Sequence, residues 1–380
     1  MKLNFGFNEE WKELKKFNNL NDKQRSIVFY AENKASMNHF RLLILELTEE
    51  RNFQICYITS VKNDPILSIN DKNILAFYIG DGIVRTKFFL ELKAKILIMD
   101  MPDLDSFHIK RSKIFPVHYI YIFHSMFSVH SYLRKGAVDN YDTIFCVGEH
   151  HKREILETEK IYGLKPKKLV NYGFGRLDTL LKEQSNFKKE ELNTKNLIII
   201  APTYGNSNLL KICGVKLIET LLDSNFKVLL RPHFRIFKES KDLIKIILDK
   251  FQNNNNFLLE EGIIKPQIFH SSRCMISDWS GISLEYAFVF ERPIIYIDVP
   301  KKELNAEVDK IDLQPIEVSI REKIGYLVEP DNLTEIPNII SEINDESRAE
   351  QIRDIRSKTV FNIGKSASIG ADHITEILEK

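Results

Sequence analysis

Short apolar runs recur from one end of the chain to the other, separated by amphipathic stretches, and this alternation constrains the fold more than any other feature. In the first half the runs are Ser26–Tyr30, Phe53–Ile58, Ile74–Tyr78, Lys95–Met99, His118–Phe123 and Thr143–Val147. In the second half they are Leu197–Ile200, Lys227–Leu230, Phe257–Leu259, Cys274–Ile276 and Pro293–Ile297. Each is near-continuously apolar and rich in Ile and Val, the pattern of strands buried on both faces of a parallel sheet. Helical patterns such as His39–Glu50 and Glu149–Glu159 lie between them. Strand–helix alternation of this kind predicts an α/β fold with parallel sheets. The polar stretch Lys182–Lys195 interrupts the alternation. It divides the chain into a Rossmann-like domain over 1–182, a linker region over 183–195 and a second Rossmann-like domain over 196–380. That second domain closes in helices from Leu333 onward, broken around Asn362–Gly364.

A chain of 380 residues suits two domains, at roughly 100–200 residues each. Its 54 basic and 53 acidic residues leave a net charge of +1, against a dedicated nucleic-acid binder, which carries a basic excess. Cys56, Cys146, Cys213 and Cys274 are widely spaced and form no CxxC pair. Neither a zinc knuckle nor a disulfide framework is expected, and a reducing cytoplasm fits. The N-terminus has no apolar h-region, and no apolar stretch approaches the ~20 residues of a membrane-spanning helix. The expectation is a cytoplasmic protein that at most rests on the inner face of a membrane; Trp11–Phe17 is basic and aromatic.

Ligands of open parallel sheets sit beyond the carboxyl ends of strands, and the chemically informative residues follow the apolar runs. In Met275–Ala287 a strand ends at Ser277-Asp278 and a helix begins near Gly281. The free N–H groups and dipole of a helix start favour an anion, Ser280 and Ser283 add hydroxyls, and Glu285 could accept from ribose hydroxyls. An ordinary capped helix explains the same residues equally well. After the run Lys227–Leu230 come Arg231 and His233: a guanidinium grips a diphosphate bidentately, and an imidazole exchanges a proton near neutrality. The alternative is a structural arginine and histidine. His124, ending a strand of the first domain, suits a general base, although a histidine after a strand is commonly structural. His130, His150 and His151 are less committed, the adjacent pair reading as solvated. Thr203 could approach a phosphate, and Gly173 in Tyr172–Asp178 allows unusual backbone angles. No GxGxxG, P-loop, HExxH or metal-binding acidic pair is present; Asp103 and Asp105 read as a turn.

Taken in order, the segments YGFGRLD, APTYGN, RPHF and SDWSGISLEYAFVFERPIIY, closing with FNIGKSASIGADHITEIL, resemble the CDP-glycerol glycerophosphotransferase family of teichoic-acid and capsule polymer synthesis. The resemblance runs from about His118 to the C-terminus. It implies a GT-B arrangement: two Rossmann-like domains facing across a cleft, the second holding the donor nucleotide. It further implies that His124 is the acceptor-side histidine and His233 the second functional one. Arg231 would lie at the diphosphate, with Thr203, Ser277, Asp278, Ser280, Gly281, Glu285, Gly173 and Arg176 at the donor. The chain departs from the family at Phe123-His-Ser-Met126, where many members have Trp-His-Gly-Thr, and in an insertion carrying His130, Arg134 and Lys135. The implied function is transfer of glycerol phosphate, or a related polyol phosphate, from a CDP-activated donor to a glycan or lipid-linked acceptor, releasing CMP. No cofactor is implied, a divalent ion stays open, and peripheral membrane contact follows if the acceptor is lipid-linked. The rivals are a GT-B glycosyltransferase or epimerase using a UDP-sugar, and a non-catalytic nucleotide-binding subunit.

Overall fold

The computed structural model describes residues 7–186, 196–261, 266–302, 305–343 and 345–380. The apolar runs are strands of two parallel sheets. The first contains β1 (Ile27–Ala31), β2 (Ile55–Thr59), β3 (Ile74–Tyr78), β4 (Ile96–Met99), β5 (His118–Ile122), β6 (Thr143–Cys146) and β7 (Lys168–Asn171), in the order β3-β2-β1-β4-β5-β6-β7. The second contains β8 (Leu197–Ala201), β9 (Lys227–Leu230), β10 (Phe257–Leu259), β11 (Cys274–Ser277), β12 (Ile294–Ile297) and β13 (Gly325–Val328), in the order β10-β9-β8-β11-β12-β13. Central strands bury every side chain, as in Ile27-Val-Phe-Tyr-Ala, which pairs Phe29 with Tyr57 on one side and with Ile98 on the other. The sequence did not announce β7 and β13. Both are edge strands with partly exposed side chains, so neither carries the continuous apolar signature of a strand covered on all sides.

The helices start and stop where local chemistry tells them to. Asn208 caps Leu209–Asp223 by accepting from the N–H groups of Leu210 and Lys211, satisfying two of the orphan donors of a helix start. Glu149–Tyr162 has an acid in its first turn and Lys160 in its last, and ends at the left-handed Gly163, in accord with the helix dipole and the glycine stop.

Contacts divide the chain into two compact units. One comprises Met1–Asp178, Asn305–Ile311 and Thr359–Lys380; the other comprises Thr179–Leu304 and Asp312–Lys358. The expected continuous second domain over 196–380 therefore needs correction: its closing helix, Ser366–Glu379, belongs to the first unit. Apolar packing is the cause. Ala371 and Ile374 are fully buried in the first sheet's core with Phe40, Leu43, Phe145 and Tyr172. The anticipated break at Asn362–Gly364 is present, with left-handed φ values of 45° and 77°. Of the expected linker, residues 187–195 lie outside the described residues. All four cysteines are buried and free, and among the described residues no helix is long and apolar enough to cross a membrane.

Candidate functional site

Each sheet has one place where strand order reverses, between β1 and β4 in the first and between β8 and β11 in the second. Connections leave such a point in opposite directions, which opens a crevice at the carboxyl ends of the strands. His124, Thr203, Arg231, His233, Ser277 and Asp278 end or follow strands at these two points or one strand away from them.

In the first unit His124 follows β5, and its Nδ1 lies 3.2 Å from the carbonyl oxygen of Asp100, just after β4. A carbonyl can only accept, so Nδ1 carries the proton and Nε2 keeps its lone pair. Burial pushes the His124 pKa down, which keeps the ring neutral. Asp100 is itself buried and accepts from the Ser36 hydroxyl at 2.9 Å; burial raises its pKa to about 6.

The loop after His124 is held from below by the first turns of the helix Glu149–Tyr162. His150 Nε2 donates to the Met126 carbonyl at 3.0 Å and His151 Nε2 to the Phe127 carbonyl at 2.8 Å. His151 Nδ1 accepts from the Val147 N–H at 3.3 Å. Glu154 accepts from the Val129 N–H at 2.5 Å and lies 3.1 Å from His130 Nδ1. The expectation of a solvated histidine pair is thus overturned: both are buried, because their ring nitrogens are the donors that satisfy otherwise orphaned loop carbonyls.

Sequence reasoning missed His39. It lies on the helix Met37–Leu45, is 8% exposed, and its ring centroid is 6.4 Å from that of His124. Its Nδ1 is buried with no hydrogen-bond partner among the described residues. Burial, then the neighbouring His124 and Arg176, lower its pKa to about 3. Arg176 therefore does join this group, from the helix Gly175–Gln184. Nothing local marks His39, because a histidine on the buried face of an amphipathic helix reads as core.

Gly173 does not join it. At φ +101° it gives room to the Phe361 carbonyl of the returning chain, which a side chain would strike. Asp178 completes this clamp by accepting from the Gly364 N–H at 2.7 Å and the Ser366 hydroxyl at 2.5 Å. The YGFGRLD and closing segments are joined by packing, with Gly173 at their point of closest approach.

In the second unit Ser277 and Asp278 also turn inward. Ser277 donates to the Ala201 carbonyl at 2.7 Å. Asp278, 1% exposed, accepts from the Thr203 N–H at 2.7 Å and the Leu209 N–H at 2.9 Å. Together they tie the loop after β11 to the loop after β8. Their side chains are committed to backbone partners on the facing loop. Burial raises the Asp278 pKa to about 6 even against these hydrogen bonds. Thr203 is buried with its N–H held by Asp278, and Ser283 is buried, accepting from Tyr296 at 3.2 Å. Ser280 and Gly281 stay half-buried at the start of the helix Ile282–Phe290, with Glu285 in its first turn.

Arg231 extends the β8–β9 ladder through its N–H to the Ile200 carbonyl at 2.8 Å. His233 Nδ1 accepts from the Arg235 N–H at 3.2 Å. This fixes the opposite tautomer from that of His124, with the proton on Nε2. Three residues the sequence analysis passed over crowd this histidine. The Tyr204 ring centroid lies 4.5 Å from that of His233, with Arg235 4.2 Å and Lys302 3.0 Å from the tyrosine ring centroid. Burial, then Lys302, Arg231 and Arg235, lower the His233 pKa to about 4. The basic spacing after β9 and the Lys301-Lys302 pair after β12 were the available signals.

A family model described as CDP-Glycerol:Poly(glycerophosphate) glycerophosphotransferase matches residues 14–305. The chain belongs to this family. The match starts well before the motifs that carried the resemblance and stops short of the closing segment. This chain is therefore an enzyme of the CDP-glycerol:poly(glycerophosphate) glycerophosphotransferase type. Among solved structures, the wall teichoic acid polymerase TagF soaked with CDPG is similar at 15% identity and a TM-score of 0.61, over 98% of this chain and 95% of that one. The S. aureus MnaA–UDP structure matches at 12% identity and a TM-score of 0.63, over 93% and 96%. The UDP-GlcNAc 2-epimerase of Methanocaldococcus jannaschii with UDP-GlcNAc and UDP matches at 15% and 0.60, over 93% and 99%. These likenesses establish the GT-B fold. No curated protein sequence matches the chain significantly.

Proposed function

We propose that this enzyme transfers glycerol phosphate, or a related polyol phosphate, from the CDP-activated donor to a hydroxyl of a glycan or lipid-linked acceptor. The carrying observation is the pair of opposite tautomers: His124 offers a lone pair at Nε2, and His233 offers a proton at Nε2. That is the complement in-line phosphoryl transfer needs, a base for the attacking hydroxyl and a donor for charge on the diphosphate. The acceptor oxygen bonds to the phosphorus bearing glycerol, its proton passing to His124. The bond from that phosphorus to the bridging oxygen breaks, and CMP leaves with the electron pair. Arg231, His233 and the Ser280–Gly281 helix start hold the diphosphate. Ser277, Asp278 and Thr203 set the shape of the loops that present them, Glu285 faces the ribose, and Arg176 with His39 lines the His124 side. The reading places the enzyme in the cytoplasm, at the inner membrane face when the acceptor is lipid-linked, in teichoic-acid or capsule synthesis.

Acceptor-dependent CMP release from CDP-glycerol and CDP-ribitol tests it. His124→Gln and His233→Ala should each lower turnover by about 10²–10⁴ while the circular dichroism spectrum is unchanged. Near-normal turnover in either variant would defeat its assigned role, and UDP release from a UDP-sugar would make the chain a glycosyltransferase.

A further inference from the structure

The loops after β8, β9 and β12 bring several positive charges together around one aromatic ring. Tyr204, after β8, is the platform. Arg231 and Arg235 come from the loop after β9 and Lys302 from the chain after β12. Arg235 has a carboxylate of its own, Glu239, at 2.6 Å. Lys302 is half-buried and rests on the Tyr204 ring, with no carboxylate within ion-pair distance among the described residues. A flexible, strongly hydrated ammonium is a costly group to hold half-buried without a counter-ion. His233 adds an N–H at Nε2, which has no hydrogen-bond partner among the described residues.

We infer that Lys302 is a further donor-binding residue, which closes on the diphosphate together with Arg235 and the His233 Nε2–H, and that its proton is required for tight binding. The inference rests on the donor-site reading given above. It names a residue supplied by the chain after β12, which none of the motifs contains.

The charges facing Lys302 decide its behaviour. Burial and then Arg235 lower its pKa to about 8, against the opposing pull of Asp278 and Glu239. A bound diphosphate diester carries two negative charges, so it favours the ammonium and restores that pKa toward its ordinary value. Binding and protonation are then linked. As the pH rises through about 8, the free enzyme loses the proton that the complex retains, and affinity falls. Between pH 7 and pH 9 the expected loss is about tenfold.

The test is calorimetric binding of CDP-glycerol without acceptor, whose diester charge is constant between pH 7 and pH 9. The wild-type enzyme should bind about tenfold more weakly at pH 9. Lys302→Arg stays charged throughout and should bind with wild-type affinity at pH 7 and show no loss at pH 9. Lys302→Met should be weaker by at least tenfold at pH 7 and change no further at pH 9. Unfolding midpoints of both variants, compared with wild type, confirm that the fold is intact. Lys302→Met binding within twofold of wild type at pH 7 overturns the inference, as does a pH loss that persists in Lys302→Arg. In either case the donor-site reading stands if Arg231→Ala abolishes binding. Failure of Arg231→Ala to weaken binding defeats the donor-site reading and, with it, the inference.

Discussion

Lowering the pH from 7 to 5 should selectively weaken the first unit, and His39 should account for a large share of the loss. His39 and His151 are both buried as neutral rings, at 8% and 0% exposure. Burial lowers both pKa values, His39 to about 3 and His151 well below the ordinary 6.5. Such a ring takes up its proton only on unfolding, so stability present at pH 7 drains as the pH falls below 6.5. At pH 5 His39 contributes a loss of about 2 kcal/mol, and His151 adds to it in the same direction. The smaller downward shifts of His118, His124 and His373 add in the same direction. Asp100 opposes them. With its folded pKa raised to about 6, it binds a proton more readily in the native state and returns about 1 kcal/mol over the same interval; burial raises Asp139 and Asp178, which act in the same direction. The share carried by His39 is itself a substantial part of a stability of order 5–15 kcal/mol. His39→Phe keeps a ring, removes an unpartnered buried nitrogen and abolishes the titration. Its stability at pH 7 should lie within about 1 kcal/mol of wild type, while its loss between pH 7 and pH 5 should shrink by about 2 kcal/mol. Urea titrations at both pH values, read by hydrogen exchange in β1 and β5, measure this in the correct unit. An acid slope in His39→Phe as steep as wild type would refute the claim that the ring is held neutral.

Two further outcomes follow from the clamp on the closing helix. Asp178→Ala removes the acceptor for Gly364 and Ser366; with charged hydrogen bonds worth about 1.5–3 kcal/mol each, it should speed amide exchange through Ser366–Glu379 by at least tenfold. Unchanged exchange there would show that apolar packing alone holds the helix. Gly173→Ala combines a left-handed φ with the approach of the Phe361 carbonyl; it should cost about 2–4 kcal/mol and lower the thermal midpoint, whereas a wild-type midpoint would mean the backbone relaxes freely.

The catalytic candidates were legible because they follow strands, and the strands were legible because burial on both faces leaves an unbroken apolar run. That logic singled out His124 and His233, and the family resemblance gave them their roles. Ser277 and Asp278 were found by the same logic, but their hydrogen bonds to the loop after β8 were not legible, because whether a polar side chain at a strand end faces outward or ties loops together depends on the loop opposite. His150 and His151 show the same limit. Their positions at a helix start are plain in the sequence, yet the carbonyls that bury them come from the loop at Met126 and Phe127. Thr203 was legible as a loop residue, while its neighbour Tyr204 gained significance only from the cations seated on its ring.

By itself the sequence determined the α/β class, the parallel sheets, the two-part organisation and the order of the motifs, since periodicity and composition record which faces of a segment are buried. It could not say what covers those faces. Tertiary structure alone returned the closing helix to the first unit, because the apolar face of Ser366–Glu379 records a need for cover and not its address. Tertiary structure likewise brought His39 to His124 and Lys302 to Tyr204, and fixed the His124 proton on Nδ1 through a carbonyl that follows another strand. The charge state and tautomer of a side chain are properties of its surroundings, and here those surroundings come from distant parts of the chain.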